Sequence, residues 1–229
     1  MSNKRITRFL LAFGALLLFV GAGGALAQGE QQKLVDSADK TLSNFLRDPD
    51  MTWLQENIHR AKAVIIAPEV AKAGFIFGGS GGRAVVIAHD AKSGKWVGPA
   101  FYTMATASVG FQAGISVSEV VTLVMTEKGF NSLLATSFKV GGDASVAAGP
   151  VGAGAKSDVV ADLVSFARAK GVYGGLNLDG TVVKASDDWN ELYYQKKPIQ
   201  PPDILVRMSA HAKGSDKLLA DVARAAGKK

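Results

Sequence analysis

Residues 74–88 read GFIFGGSGGRAVVIA, and how this stretch is parsed decides the fold. Gly79-Ser80-Gly81-Gly82-Arg83-Ala84 satisfies G-x-G-x-x-A, the turn of a dinucleotide-binding unit, which must run on into a helix. The next residues are instead Ala84-Val85-Val86-Ile87-Ala88, a short strand-like apolar run. The stretch therefore reads as two strands, Gly74–Phe77 and Ala84–Ala88, joined by a glycine-rich hairpin turn, and the nucleotide match is accidental. The same texture continues through Trp96–Met104, Ser108–Ser116 and Val120–Met125, with Lys92-Ser93-Gly94-Lys95 as one of the turns. Such spacing predicts antiparallel strands joined by hairpins.

A helix from Glu127 to Ala135 interrupts the series. Strands resume at Phe138–Val140, Ala144–Ala148 and Gly171–Leu178, and Asp179-Gly180 turns into Thr181–Lys184. The segment 159–169 fits both periods: Val160, Val164 and Phe166 alternate, while Val159, Leu163 and Ala167 have helical spacing. Upstream, Glu30 to Arg47 is helical. At about 100° per residue, Leu34, Val35, Ala38, Leu42, Phe45 and Leu46 form one apolar stripe. Lys33, Lys40 and Arg47 recur on the opposite face. Pro49 ends this helix, and Asp50 is the expected N-cap of a second one running to about Lys62. Two more helices are expected at the C-terminus, after Pro202 and between Ser215 and Gly227. The class is α+β in a single domain: a curved antiparallel β-sheet or barrel-like core, with N-terminal amphipathic helices packed on it and extra C-terminal helices.

Residues 149–157, GPVGAGAKS, come within one residue of a phosphate-binding loop. Ala155 puts Lys156 out of register with the backbone cradle, and no clear helix begins after Ser157. Small residues let backbones approach closely, so 141–156 is expected to be a bent strand-turn segment within the core.

The first 27 residues have the layout of an export signal. Lys4, Arg5 and Arg8 precede an apolar run from Phe9 to Val20, and Ala25-Leu26-Ala27 permits cleavage before Gln28. The run is short for a membrane span of about 20 residues, which favours a cleaved signal over an anchor. The expected location is periplasmic or secreted, with peripheral membrane association. The implied layout is a signal at 1–27, a main domain at 28–200 and a helical extension at 201–229. Without the signal the basic count falls from 26 to 23 against 20 acidic residues, a net charge of about +3. That suits anionic surfaces but not nucleic acid. The absence of cysteine rules out disulfides and thiolate metal sites.

Chemistry is hard to place. His59, His89 and His211 include no i, i+4 pair, and no G-x-S-x-G elbow or nucleophile–base set occurs, so no catalytic residue, metal ligand or cofactor is expected. Trp53, Phe75, Phe77, Phe101, Phe111, Phe138 and Phe166 read as core. Trp96, beside Lys95 at a turn edge, is the best candidate for an exposed interfacial aromatic, ahead of the Trp189/Tyr193/Tyr194 group.

Several blocks in order carry a resemblance. Ala71 to Gly79, Trp96 to Phe101, Ser108 to Gly114, Gly142 to Gly152, Lys170 to Leu176 and Asn190 to Tyr194 resemble the SYLF domain family. The similarity covers roughly Gln31 to Gln195 and leaves the C-terminal helix pair outside. The resemblance implies a lipid-binding module. Eukaryotic members bind phosphoinositide-rich membranes, partly through an N-terminal amphipathic helix, and some bind actin; an exported bacterial protein does not meet actin. The expected function is phospholipid binding at a membrane surface through anionic headgroups. Candidate contacts are Lys33, Lys40, Arg47, Arg60, Lys62, Lys72, Arg83, Lys95 and Trp96. The alternative is a non-catalytic envelope scaffold that binds protein rather than lipid.

Overall fold

A computed structural model of the chain describes residues 29–227, apart from 75–76, 110–113, 153, 155–158, 170–171 and 174–177. The expected signal, Phe75, Phe111, Lys156 and much of the expected strand 171–178 lie outside the described residues. Helix α1 spans 29–47 and leads through a 3₁₀ turn to α2 (Thr52–Asn57). Four long strands come next: β1 (Ala63–Gly74), β2 (Phe77–Asp90), β3 (Lys95–Val109) and β4 (Gly114–Val124). Helix α3 (Glu127–Leu133) leads to β5 (Ser137–Lys139), β6 (Val146–Ala148), β7 (Leu163–Ala169), β8 (Val172–Tyr173) and β9 (Val182–Ala185). Helices α4 (Asp187–Tyr194), α5 (Pro201–Leu205) and α6 (Asp216–Ala226) finish the chain.

The strands form one curled half-barrel sheet in the order β5-β9-β3-β2-β1-β4-β7-β6, with β8 on β7. The α+β class and the curved sheet are as expected. The sheet is mixed, however, because β6 runs parallel to β7. The ambiguous segment 159–169 contains a strand: β7 pairs with β4 from Ser118↔Ala169 to Val124↔Leu163. Two strand boundaries need correction. Gly74–Phe77 is the junction of β1 and β2, and Gly79–Ala84 lies inside β2 rather than in a turn. Likewise Ser108–Ser116 straddles the end of β3 and the start of β4. The turn at 91–94 is as expected: Gly94 has φ +69°, and the Asp90 carboxylate accepts from the Ser93 amide at 2.9 Å.

Both faces of the sheet are buried near this turn, which is why Ala63-Val64-Ile65-Ile66-Ala67 is apolar throughout rather than alternating. On one face Val64, Ile66, Val85, Ile87, Phe101, Val121 and Leu123 meet Val35, Ala38, Leu42 and Phe45 of α1, Trp53 and Leu54 of α2, and Leu218 and Val222 of α6. The other face is smaller in side chain: Ala63, Ala67, Ala84, Ala88 and Ala100 lie among Ile65, Val86 and Tyr102, covered by Leu133, Phe138, Ile204 and Leu205. The C-terminal helices thus close opposite faces of one core. Pro68 lies where the register of β1 shifts against both neighbours, a bulge that tolerates a residue without an N–H.

Three more expectations are corrected by side-chain placement. The Asp48 side chain, not that of Asp50, caps the turn after α1, accepting from the Asp50 amide at 3.0 Å. Trp96 is 7% exposed and packs 5.3 Å from the His89 ring, so it is core, not an interfacial aromatic. Of the glycine-rich stretch 141–156, residues 141–152 form a turn and an edge strand; Val151 is 45% exposed, so much of this part lies at the surface. Close approaches occur at Gly149, where an added Cβ would sit 2.2 Å from the buried Phe166 ring, and at Gly141, where it would run into the Asp179 carboxylate.

Candidate functional site

The nine expected contact residues do not converge on one spot. Lys33, Lys40 and Arg47 are exposed along the outer face of α1, while the inward stripe of that helix is buried. Polar contacts fix the helix in place. Thr41 Oγ1 donates to Glu119 Oε1 at 3.0 Å, and Arg168 Nε donates to Glu119 Oε2 at 3.0 Å. Arg168 Nη1 also lies 3.7 Å from Asp48, and Lys217 of α6 pairs with the nearly buried Asp39. Gln32 Nε2 donates to the Gly214 carbonyl at 2.9 Å. An open cleft of about 380 Å³ lies between α1, α2 and α6, lined by Ser43, Leu46, Arg47, Glu56, Asp221 and Arg224.

A second group gathers at the sheet end that carries the β2–β3 turn. Lys62 accepts the His89 amide through its carbonyl, and its ammonium pairs with Glu127 at 2.5 Å. Arg60 donates to Asn57 Oδ1 at 2.9 Å, and Lys95 is exposed. The remaining two are separated by the sheet itself. Arg83 extends the face covered by α1 and stacks 3.8 Å over the Trp189 ring. Lys72 extends the alanine-lined face, in line with Val70.

The sequence reading missed the open half of the α1-covered face. Beyond the helices, five adjacent strands present Val117, Ala71, Gly81, Ala105 and Val182 in one row. Ala73, Gly79 and Ala107 form the next row. Val117 is 42% and Val182 44% exposed, and Ala71, Ala73, Ala105 and Ala107 are exposed as well. Arg83, Lys184 and Lys139 border this apolar surface. The signal was present as small residues at period two: Ala71/Ala73, Gly79/Gly81 and Ala105/Ala107.

Perturbed ionisations mark structure rather than chemistry. Asp162 is held at about 2, chiefly because Thr126 Oγ1 donates to it at 2.5 Å and the Ser145 amide at 2.9 Å. Burial pushes the Tyr102 phenol up, and the phenol donates to the Leu133 carbonyl at 2.5 Å. Burial raises Tyr193 to about 12. Among the described residues, no group of three carboxylate or imidazole side chains is placed to hold a metal. Among them, too, no helix is long and apolar enough to cross a membrane.

Comparison with known proteins matches residues 105–225 to the Ysc84 family model, described as Las17-binding protein actin regulator. That match takes in both C-terminal helices, which the sequence resemblance left outside. The chain is 29% identical over 169 residues to LAS seventeen-binding protein 3 of Saccharomyces cerevisiae, covering 69% of this chain and 36% of the relative. It is 30% identical over 169 residues to Protein YSC84 of the same organism, with the same coverage. It is 28% identical over 162 residues to SH3 domain-containing YSC84-like protein 1 of Homo sapiens, covering 69% of this chain and 46% of the relative. The chain thus spans about a third to a half of the length of these curated relatives. No solved structure matches it.

Proposed function

Because the chain belongs to the Ysc84 (SYLF) family, we propose that it is an exported, non-catalytic module that binds anionic phospholipid at a membrane surface. The observation that carries this reading is the exposed cationic face of α1, with Lys33, Lys40 and Arg47 held outward by a buried apolar stripe. Each cation near an anionic bilayer contributes about 1 kcal/mol, so three give weak binding that salt screens. The open sheet face bordered by Arg83, Lys139 and Lys184 offers apolar contact beside further positive charge. Las17 binding and actin regulation are the family model's own words; they attach to those proteins, and an exported chain has no access to actin.

Co-sedimentation of residues 28–229 with phosphatidylglycerol or cardiolipin vesicles tests the proposal. The expected result is pelleting at low salt. Replacing Lys33, Lys40 and Arg47 together by Glu should weaken it about 100-fold or more, at about 1 kcal/mol per cation removed. No pelleting of the unsubstituted protein at low salt would remove the proposal. The uncovered apolar sheet face favours one second reading, docking of an envelope protein. That reading predicts a crosslinked partner whose binding is insensitive to salt.

A further inference from the structure

We propose that Arg83, Lys184 and Lys139, with Thr103, Ser137 and Trp189, form a binding site for a phosphate group on the face of the sheet that α1 covers in part. Register brings them together. Arg83 of β2 pairs with Thr103 of β3, Thr103 with Lys184 of β9, and Lys184 with Ser137 of β5. Directly paired residues project from the same side of a sheet, so these four side chains stand in one row. Lys139 pairs with Val182, two residues along from Lys184, which makes the two lysines diagonal neighbours about 7 Å apart. Arg83 and Lys184 are two strand spacings apart, about 10 Å, with the Thr103 hydroxyl between them. Their long side chains reach a single small anion from both sides.

Cations this close repel one another unless a negative charge lies between them. Elsewhere in the protein that charge is built in: Lys62 holds Glu127, Arg168 holds Glu119 and Lys217 holds Asp39. Among the described residues Arg83, Lys139 and Lys184 have no ion pair. Glu69 is opposite Arg83 in the ladder, but on the side away from Thr103 and Lys184. The Asp143 carboxylate accepts the Lys139 backbone amide at 2.6 Å. Arg83 is already positioned. Its guanidinium lies 3.8 Å over the Trp189 ring, which in turn packs on Phe101 at 5.9 Å. Stacking occupies the face of the guanidinium and leaves its in-plane N–H fork for a phosphate, to which the lysines add point charge and the hydroxyls adjustable donors. Arg83, Lys139 and Lys184 are exposed, so a ligand reaches them directly from solvent. The exposed Val182 and Ala105 lie two residues from Lys184 and Thr103, so a phosphate joined to an apolar chain meets a surface for each part.

The phosphate is carried by a lipid headgroup or by a soluble phosphate ester; the site rests on the membrane-binding reading only for the first source, because no residue of α1 enters it. The full chain and its Arg83→Gln and Lys139→Gln/Lys184→Gln variants would be titrated with glycerol 3-phosphate, followed by tryptophan fluorescence. Separately, they would be co-sedimented with phosphatidic acid vesicles in phosphatidylcholine. Trp189 is the reporter, since Trp53 and Trp96 are buried. Arg83→Gln and the double lysine variant should each weaken binding about tenfold, as expected when charge-assisted hydrogen bonds are lost. Dependence on these residues with glycerol 3-phosphate identifies a soluble ester; dependence with vesicles alone identifies a headgroup. If Arg83→Gln fails to fold, the lysine variant decides by the same comparison. A fluorescence response that persists in Trp189→Phe places the ester elsewhere and overturns the site. Vesicle pelleting that survives unchanged in both variants, with no response to the ester, also overturns it and leaves the α1 reading standing. An Arg83-dependent response to the ester without any pelleting does the reverse.

Discussion

The four long strands behave as two different proteins along their length. Toward the β2–β3 turn, Val64, Ile66, Val85, Ile87 and Phe101 are buried under helices on one face, and alanines and Tyr102 are buried on the other. Toward the opposite end, the same strands present Ala71, Ala73, Ala105, Ala107 and Val117 to solvent on one face and carry the half-buried Lys72, Ser80, Ser116 and Thr106 on the other. One backbone ladder serves both halves, so hydrogen bonding does not distinguish them. What differs is the apolar area removed from water. Stability resides in the closed half, and the open half is left available for contact.

The sharpest test of that division is Phe101→Ala. The ring is 1% exposed and packs edge-on against Trp189 at 5.9 Å and Tyr193 at 5.0 Å. Its removal leaves a cavity that α4 and the sheet cannot both fill, at a cost of about 3–5 kcal/mol. Urea unfolding should show the midpoint falling sharply with an unchanged slope. A loss under about 1 kcal/mol would mean that the closed half is not the seat of stability.

Acid probes a different part of the closed half. Asp162 joins β7 to the cap of α3 and to Ser145, and its folded carboxyl sits at about 2 against an ordinary 3.8. A depressed carboxyl stabilises the fold above the ordinary value, and that contribution disappears as pH falls through the folded one. The window is therefore from about pH 4 down to about pH 2, and the contribution is on the order of 2 kcal/mol. Asp162→Asn should lose that much at neutral pH. Its urea midpoint should then vary less than that of the unsubstituted protein across the window. Equal slopes for the two proteins between those pH values would show that the acid-sensitive element lies elsewhere.

The two halves also differ in how well the sequence announces them. The N-terminal helix was legible because its stripe repeats at helical period over more than three turns, and Val35, Ala38, Leu42 and Phe45 are all buried. The first half of β1 was not. Ala63–Ala67 is apolar at every position because both its faces are covered, and Pro68, a residue that ordinarily interrupts a central strand, occupies a bulge. Trp96 misled for a related reason. Its neighbour Lys95 is exposed, but successive strand residues face opposite ways, so an exposed lysine predicts a buried tryptophan. At the candidate site, exposure of the cations on α1 could be read from the helix alone. The cross-strand rows could not, because they bring together residues from β1, β2, β3, β4 and β9 through register, which no local pattern encodes.

The smallest effect is the most discriminating. Val117→Ser combined with Ala105→Ser places two hydroxyls on the open apolar face, where Val117 is 42% exposed. Substitutions at such sites usually change stability by no more than about 0.5 kcal/mol, because little area is returned to water and no packed neighbour is lost. The variant should therefore unfold at nearly the same urea concentration as the unsubstituted protein. If this face takes part in membrane contact, its vesicle binding should fall while salt dependence, set by the cations, stays the same. A loss of about 2 kcal/mol or more would mean that another part of the chain covers these strands. The open half would then be core, and the contrast between the two ends of the sheet would have to be abandoned.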